Sequence, residues 1–186
     1  MLPHYAQNRL RDAVRTDFSI HRVLLLGVKS HRLQLLRSVL GIIGIGQVVV
    51  VESSRRAIEL LRMEHFSAVF CDREVEGLDG LSFPIAARRA KNLLNPMIPI
   101  FVLAEWARRS DVEKARDAGV TDVITVPISP RAVASKFLTA TQKPRNFIVA
   151  PEFFGPDRRA NGRTPFLGRD RRQRTARKTR LYLIPV

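Results

Sequence analysis

Five short apolar runs recur along the middle of the chain, and each is followed by a segment with helical spacing. Residues 22–27 read RVLLLG, 47–51 carry four consecutive valines, 68–71 read AVFC, 99–103 read PIFVL and 123–126 read VITV. Runs this short and this uniformly apolar suit strands buried on both faces, the environment of a parallel sheet. Between them, Leu33, Leu36, Val39 and Leu40 recur at helical spacing, as do Ala57, Ile58, Leu60 and Leu61, and later Ala132, Val133, Phe137 and Leu138. Ser30 is placed to cap the first of these helices, with Gly41, Gly44 and Gly46 closing it; Ser53 or Ser54 is placed to cap the second. A third helix is predicted over 81–94 with Pro84 near its first turn, a fourth over 111–118 stopped by Gly119, and a last one over 130–141. Repeated βα units with short connections predict an α/β fold built on a doubly wound parallel sheet.

The third run lies in SAVFCDREVEGLDG, residues 67–80: it ends abruptly in Asp72, and a turn-rich acidic segment follows through to Gly80. A carboxylate at the carboxyl end of a central strand lies on the sheet edge where ligands and chemistry collect. Lone Cys71 makes neither an intrachain disulfide nor, by itself, a thiolate metal site, and its apolar neighbours place it in the core. No stretch approaches the apolar length of a spanning helix, and the first twenty residues lack a signal-peptide core, so the expectation is a cytoplasmic protein with no transmembrane segment.

The order of elements over residues 21–142 resembles the CheY-like receiver domain of bacterial response regulators. DREVEGLDG, residues 72–80, is similar to the phosphoacceptor segment, with Asp72 in the acceptor position and Asp79-Gly80 where that family has Asp-Gly. AGVTDVITVPIS, residues 118–129, is similar to the segment around the fifth strand, including Pro127. The resemblance implies a flavodoxin-like (βα)5 fold with strand order 2-1-3-4-5. It also implies two-component signalling, with a kinase or a downstream signalling protein as partner.

The reactive set that the resemblance implies is largely absent. Phosphorylation of a receiver needs a carboxylate nucleophile, an acidic pair that holds Mg²⁺, a Lys that pairs phosphoryl oxygens and a hydroxyl that reports the product. The acidic pair aligns with Gly27 and Val28, the hydroxyl with Ala104, the Lys with Val126 and the switch aromatic with Val123. Asp72 is left without electrostatic support. One reading is a carboxylate facing solvent or capping at a strand end; the others are weak or partner-assisted phosphorylation and protein docking. Glu74, Glu76 and Glu105 are the candidates for substitute metal ligands, though their spacing recreates no acidic pair. No catalytic residue and no cofactor is assigned, Mg²⁺ entering only if Asp72 is phosphorylated.

Other features carry less. Gly41, Gly44 and Gly46 precede a strand instead of opening a helix, which suits helix termination and turn better than a nucleotide loop. His4, His21, His31 and His65 do not cluster as zinc ligands do, and Trp106 follows the fourth strand as either a docking anchor or a partly buried residue. Residues 1–20 form an N-terminal arm in which Leu10, Val14 and Phe18 suit a short amphipathic helix or a loose extension.

Charge is uneven. Of a net +15, residues 143–186 contribute +9 from 12 basic and 3 acidic side chains. Neither helical nor strand period continues there, so this tail is expected to be mostly irregular. It holds a repeat: Phe153-Phe154-Gly155-Pro156-Asp157-Arg158-Arg159 is echoed by Phe166-Leu167-Gly168-Arg169-Asp170-Arg171-Arg172. Arginine forks grip phosphate or a guanine edge, and Asp accepts from guanine N–H groups, so Asp157, Arg158, Arg159, Asp170, Arg171 and Arg172 are candidates for holding an anionic nucleotide. In composition and position the tail resembles the arginine-rich extension of CheY-like proteins that bind cyclic di-GMP. Nucleic acid held nonspecifically, or an anionic lipid surface, answers to the same charges. The expected function is therefore a noncatalytic signalling module, with a conventional phosphorelay regulator modified on Asp72 and nonspecific nucleic-acid binding as the alternatives.

Overall fold

The computed structural model describes residues 17–28, 30–72, 74–75, 78–79, 81–105, 109–150, 153–157 and 180–182. Five parallel strands form the central sheet: β1 (Arg22–Leu26), β2 (Gln47–Val51), β3 (Ala68–Asp72), β4 (Ile100–Ala104) and β5 (Asp122–Thr125). Their order is β2-β1-β3-β4-β5, the flavodoxin-like arrangement. Strands β3 and β4 are buried along their whole length and β1 along all but its first residue, as their unbroken apolar runs require.

Helices α1 (His31–Ile42), α2 (Ser54–Met63), α3 (Ser82–Arg89), α4 (Arg109–Asp117) and α5 (Pro130–Gln142) cover the sheet. On one face Val23, Leu25, Phe70 and Phe101 pack against Leu36 and Leu40 of α1 and Phe137 of α5. Phe70 stacks on Phe101 with ring centroids 4.9 Å apart, and Phe137 lies beside both Phe70 and Phe18. Phe18 belongs to this core, so packing begins inside the segment assigned to the arm. On the other face Leu24, Leu26, Val69 and Cys71 meet Leu60 and Leu61 of α2 and Phe83 and Ala87 of α3.

Ser30 and Ser53 are the caps of α1 and α2, each accepting a hydrogen bond from the backbone N–H three residues on. Helix α3 stops at Arg89, short of the expected 94. The reason is Arg88. Its guanidinium is buried and donates to the carbonyls of Gly119, Pro96 and Ile98 at 3.1, 2.9 and 2.8 Å, so the chain after α3 leaves the helix and wraps around it. Asn92 takes the left-handed backbone conformation, φ 62°, within that turn.

Three short strands stand after residue 143, within the segment expected to be mostly irregular. β6 (Phe147–Ala150) and β7 (Phe153–Pro156) form an antiparallel pair, and β8 (Arg180–Tyr182) adds to the free side of β6. This small sheet is docked on the domain. The Phe147 ring lies over the Arg88 guanidinium at 5.0 Å and against Phe154 at 5.4 Å. Gly119 has φ +83°, and a Cβ built there would fall 2.9 Å from Arg88 Cγ and 3.1 Å from the Phe154 carbonyl oxygen, so only glycine lets the strand approach. Apolar pairs broken by Pro151-Glu152 gave no period long enough to reveal these strands.

Candidate functional site

Asp72 ends β3, paired in register with Leu103 of β4, and the chain leaves the neighbouring β1 through Gly27. The Gly27 N–H donates to the Val51 carbonyl, which fixes the path of the backbone beside Asp72. A Cβ at position 27 would stand 2.9 Å from the Asp72 Cβ and 3.1 Å from Leu33 Cδ1. Glycine thus allows the β3 carboxylate to lie directly against the end of β1.

Asp72 is almost fully buried, 1 % exposed, which corrects the solvent-facing reading. Its charge is met from the first turn of α1. The Ser30 hydroxyl donates to Asp72 Oδ2 at 3.0 Å while accepting from the Leu33 N–H at 3.2 Å, so one side chain both caps the helix and holds the carboxylate. Two residues on, Arg32 Nη2 lies 3.5 Å from Asp72 Oδ1, and its Nη1 donates to Glu105 Oε1 at 2.7 Å. The planar guanidinium therefore spans a buried carboxylate and one that is 55 % exposed on the segment after β4.

The remaining pocket positions bring no polar side chain. Val28 is half-exposed, Ala104 is buried at the last position of β4, and Val126 is partly exposed, its N–H donating to the Ala104 carbonyl at 3.2 Å. Cys71 is sealed in the core, and burial together with the adjacent Asp72 pushes its thiol well above the ordinary range. Glu105 engages Arg32; Glu74 lies in a two-residue ribbon with Asp79, and Glu76 and Trp106 lie outside the described residues. Among the described residues no three His, Cys, Asp or Glu side chains converge as metal ligands would. His21 is a packing residue, edge-on to Phe137 and hydrogen-bonded to Ser67; His31 and His65 are exposed, and His4 lies outside the described residues.

The chain that builds this sheet, from just after β1 to within α5, is matched by a family model. The model for the response regulator receiver domain covers residues 28–137. The chain belongs to this family. The receiver is 30 % identical over 121 residues to the sensor protein GacS of Pseudomonas syringae pv. syringae, which is 64 % of this chain and 13 % of that protein. It is 28 % identical over 81 residues to the transcriptional regulatory protein ZraR of Escherichia coli K12, 44 % of this chain and 18 % of that one. It therefore spans under a fifth of either curated relative. Among solved structures, a response regulator from Chloroflexus aurantiacus superposes with a TM-score of 0.59 at 21 % identity, covering 66 % of this chain and 98 % of that one. A CheY-like receiver domain from Methanospirillum hungatei gives 0.56 at 17 %, covering 67 % and 95 %.

A receiver implies Mg²⁺ beside its acceptor aspartate, and the residues of this one do not fit the ion. Hard oxygen ligands would have to come from the end of β1, where Gly27 leaves no room for a side chain, and a guanidinium already stands at the carboxylate. Sequence reasoning missed Arg32 and the second role of Ser30. A signal was present: α1 has no acidic residue in its first turn but carries Arg32 there, a cation at the positive end of a helix dipole, which favours a nearby carboxylate. In the tail, Asp157 donates its backbone N–H to the Asn146 carbonyl at the end of β7. Arg158, Arg159, Asp170, Arg171 and Arg172 lie outside the described residues.

Proposed function

We propose that this receiver works as a phosphorylation-independent docking module in two-component signalling, with Asp72 serving structure and not phosphotransfer. The observation that carries this reading is the Arg32 guanidinium set against buried Asp72 and tied to Glu105. An acceptor aspartate must attack a phosphoryl group with a metal at its side. A carboxylate that accepts from Ser30 and faces a fixed cation has that charge already compensated, and its neighbours Gly27, Val28, Ala104 and Val126 supply neither metal ligand, hydroxyl nor amine. The signalling partner then recognises one standing conformation. The arginine-rich segment with Asp157, Arg158, Arg159, Asp170, Arg171 and Arg172 would hold an anionic ligand, cyclic di-GMP among the candidates, and tune that docking.

Incubation with a small-molecule phosphodonor and Mg²⁺, followed by intact-protein mass measurement, tests the proposal. No phosphoryl adduct is expected. A stoichiometric, Mg²⁺-dependent adduct that disappears in Asp72→Asn would replace it with conventional phosphorelay.

A further inference from the structure

Strand β2 is the outer edge of the sheet, and its apolar side is covered unequally. Val48 is packed into the α1 core, whereas Val50, two residues on and so on the same face, remains 41 % exposed. Beside α1 the apolar side of β2 is thus left open at Val50, while Val51 on the opposite face is buried. The gap is an open groove of about 680 Å³ with Leu25, Leu33, Val50 and Val51 among its lining. Two guanidinium groups border it, Arg37 from α1 and Arg56 from the first turn of α2. Arg37 is exposed and has no ion pair among the described residues; Arg56 reaches only an exposed contact with Glu59 at 3.4 Å. The single acidic residue of the lining, Glu52, already has an interaction of its own.

We infer that this groove is a docking site for an acidic segment of a partner protein that carries an aliphatic anchor. The apolar floor of Leu25, Leu33, Val50 and Val51 would take the anchor, and flanking carboxylates would meet Arg37 and Arg56 at a rim that Gln34, Glu52 and Ser53 complete. The position favours a chain over an enclosed small molecule. The groove is open, and it runs out at β2, whose outer side has no strand partner among the described residues and offers its backbone to an extended segment. This deepens the docking-module reading by naming a face and a partner chemistry, and it uses none of the residues around Asp72.

The test is fluorescence anisotropy of a labelled peptide of Glu residues around a central Leu, titrated with the full chain at physiological salt. Saturable binding is expected. The double variant Arg37→Glu/Arg56→Glu should weaken it about tenfold, since two rim attractions become repulsions. Replacing the peptide's Leu by Ser should weaken it further. A charge-matched variant away from the groove, Arg109→Glu/Arg131→Glu, which alters exposed side chains of α4 and α5, should bind as the parent does. Equal affinity of the parent and the rim double variant, or an equal loss of binding in the Arg109→Glu/Arg131→Glu variant, would overturn the assignment. Both rim residues are exposed, and an unchanged circular dichroism melt confirms that the variants fold. The phosphodonor result and the anisotropy result are read on different residues, so each can fail alone.

Discussion

Replacing Arg88 by Met removes one cation from the interior while keeping the length and much of the volume of its stem. The wild-type guanidinium is buried, and burial lowers its pKa from 12.5 to about 9, so it remains charged at neutral pH among backbone carbonyls. Each buried carbonyl that loses its donor costs on the order of 1–3 kcal/mol. The bonds to Gly119 and Ile98 are buried and the bond to Pro96 partly so, giving a loss of about 4 kcal/mol with the third counted lightly. Removing the penalty of holding a charge in the core returns some of this, which leaves a net destabilisation of about 2–4 kcal/mol. For a chain of this size that lowers Tm by roughly 5–15 °C. Thermal melts followed by circular dichroism, with urea unfolding as a second measure, read the change directly. A Tm within about 1 °C of the parent, with the same urea midpoint, would refute the claim that Arg88 organises the 90–98 turn. Arg88→Lys should fall between the two, because an ammonium lacks the fork that reaches three carbonyls at once.

Phe137→Ala should cost about 3–5 kcal/mol in urea unfolding, because the ring bridges Phe70, Phe18 and His21 and no neighbour can close the void. The His21 imidazole is held below its ordinary pKa by burial, against a smaller opposing pull from Asp17. The unfolded chain therefore takes up the proton first. Stability from this group is complete above the ordinary value of 6.5 and is lost as pH falls through the folded pKa; the fall in Tm on acidification should be smaller in His21→Gln than in the parent.

The central strands were legible because a strand buried on both faces leaves an uninterrupted apolar run, and β1, β3 and β4 have one. The caps were legible because Ser30 and Ser53 stand where a run gives way to helical spacing. Helix α3 was read too long because what ends it, the demand of Arg88 for carbonyls at Pro96 and Ile98, acts through space and leaves no local mark. The same holds at the site. Asp72 was identifiable from its strand, but its burial depends on Gly27, Ser30 and Arg32, which reach it from the other side of a parallel pairing. Phe147 likewise carries no local mark of the place its ring takes over Arg88.

That last contact changes how this chain should be cut for experiment. A truncation at residue 144, a natural choice from composition, would strip the aromatic cover from a buried cation and leave Gly119 facing water.

The close approach of Gly27 to Asp72 also limits what position 27 can hold, because the Asp72 side chain and Leu33 fill the space a side chain there would need. Substituting Gly27→Asp would press a new Cβ to 2.9 Å from that of Asp72 and set like charges together in the interior. Under the docking reading proposed above, an acidic side chain at position 27 would therefore need compensating room at Asp72 and Leu33 before it could serve as a metal ligand.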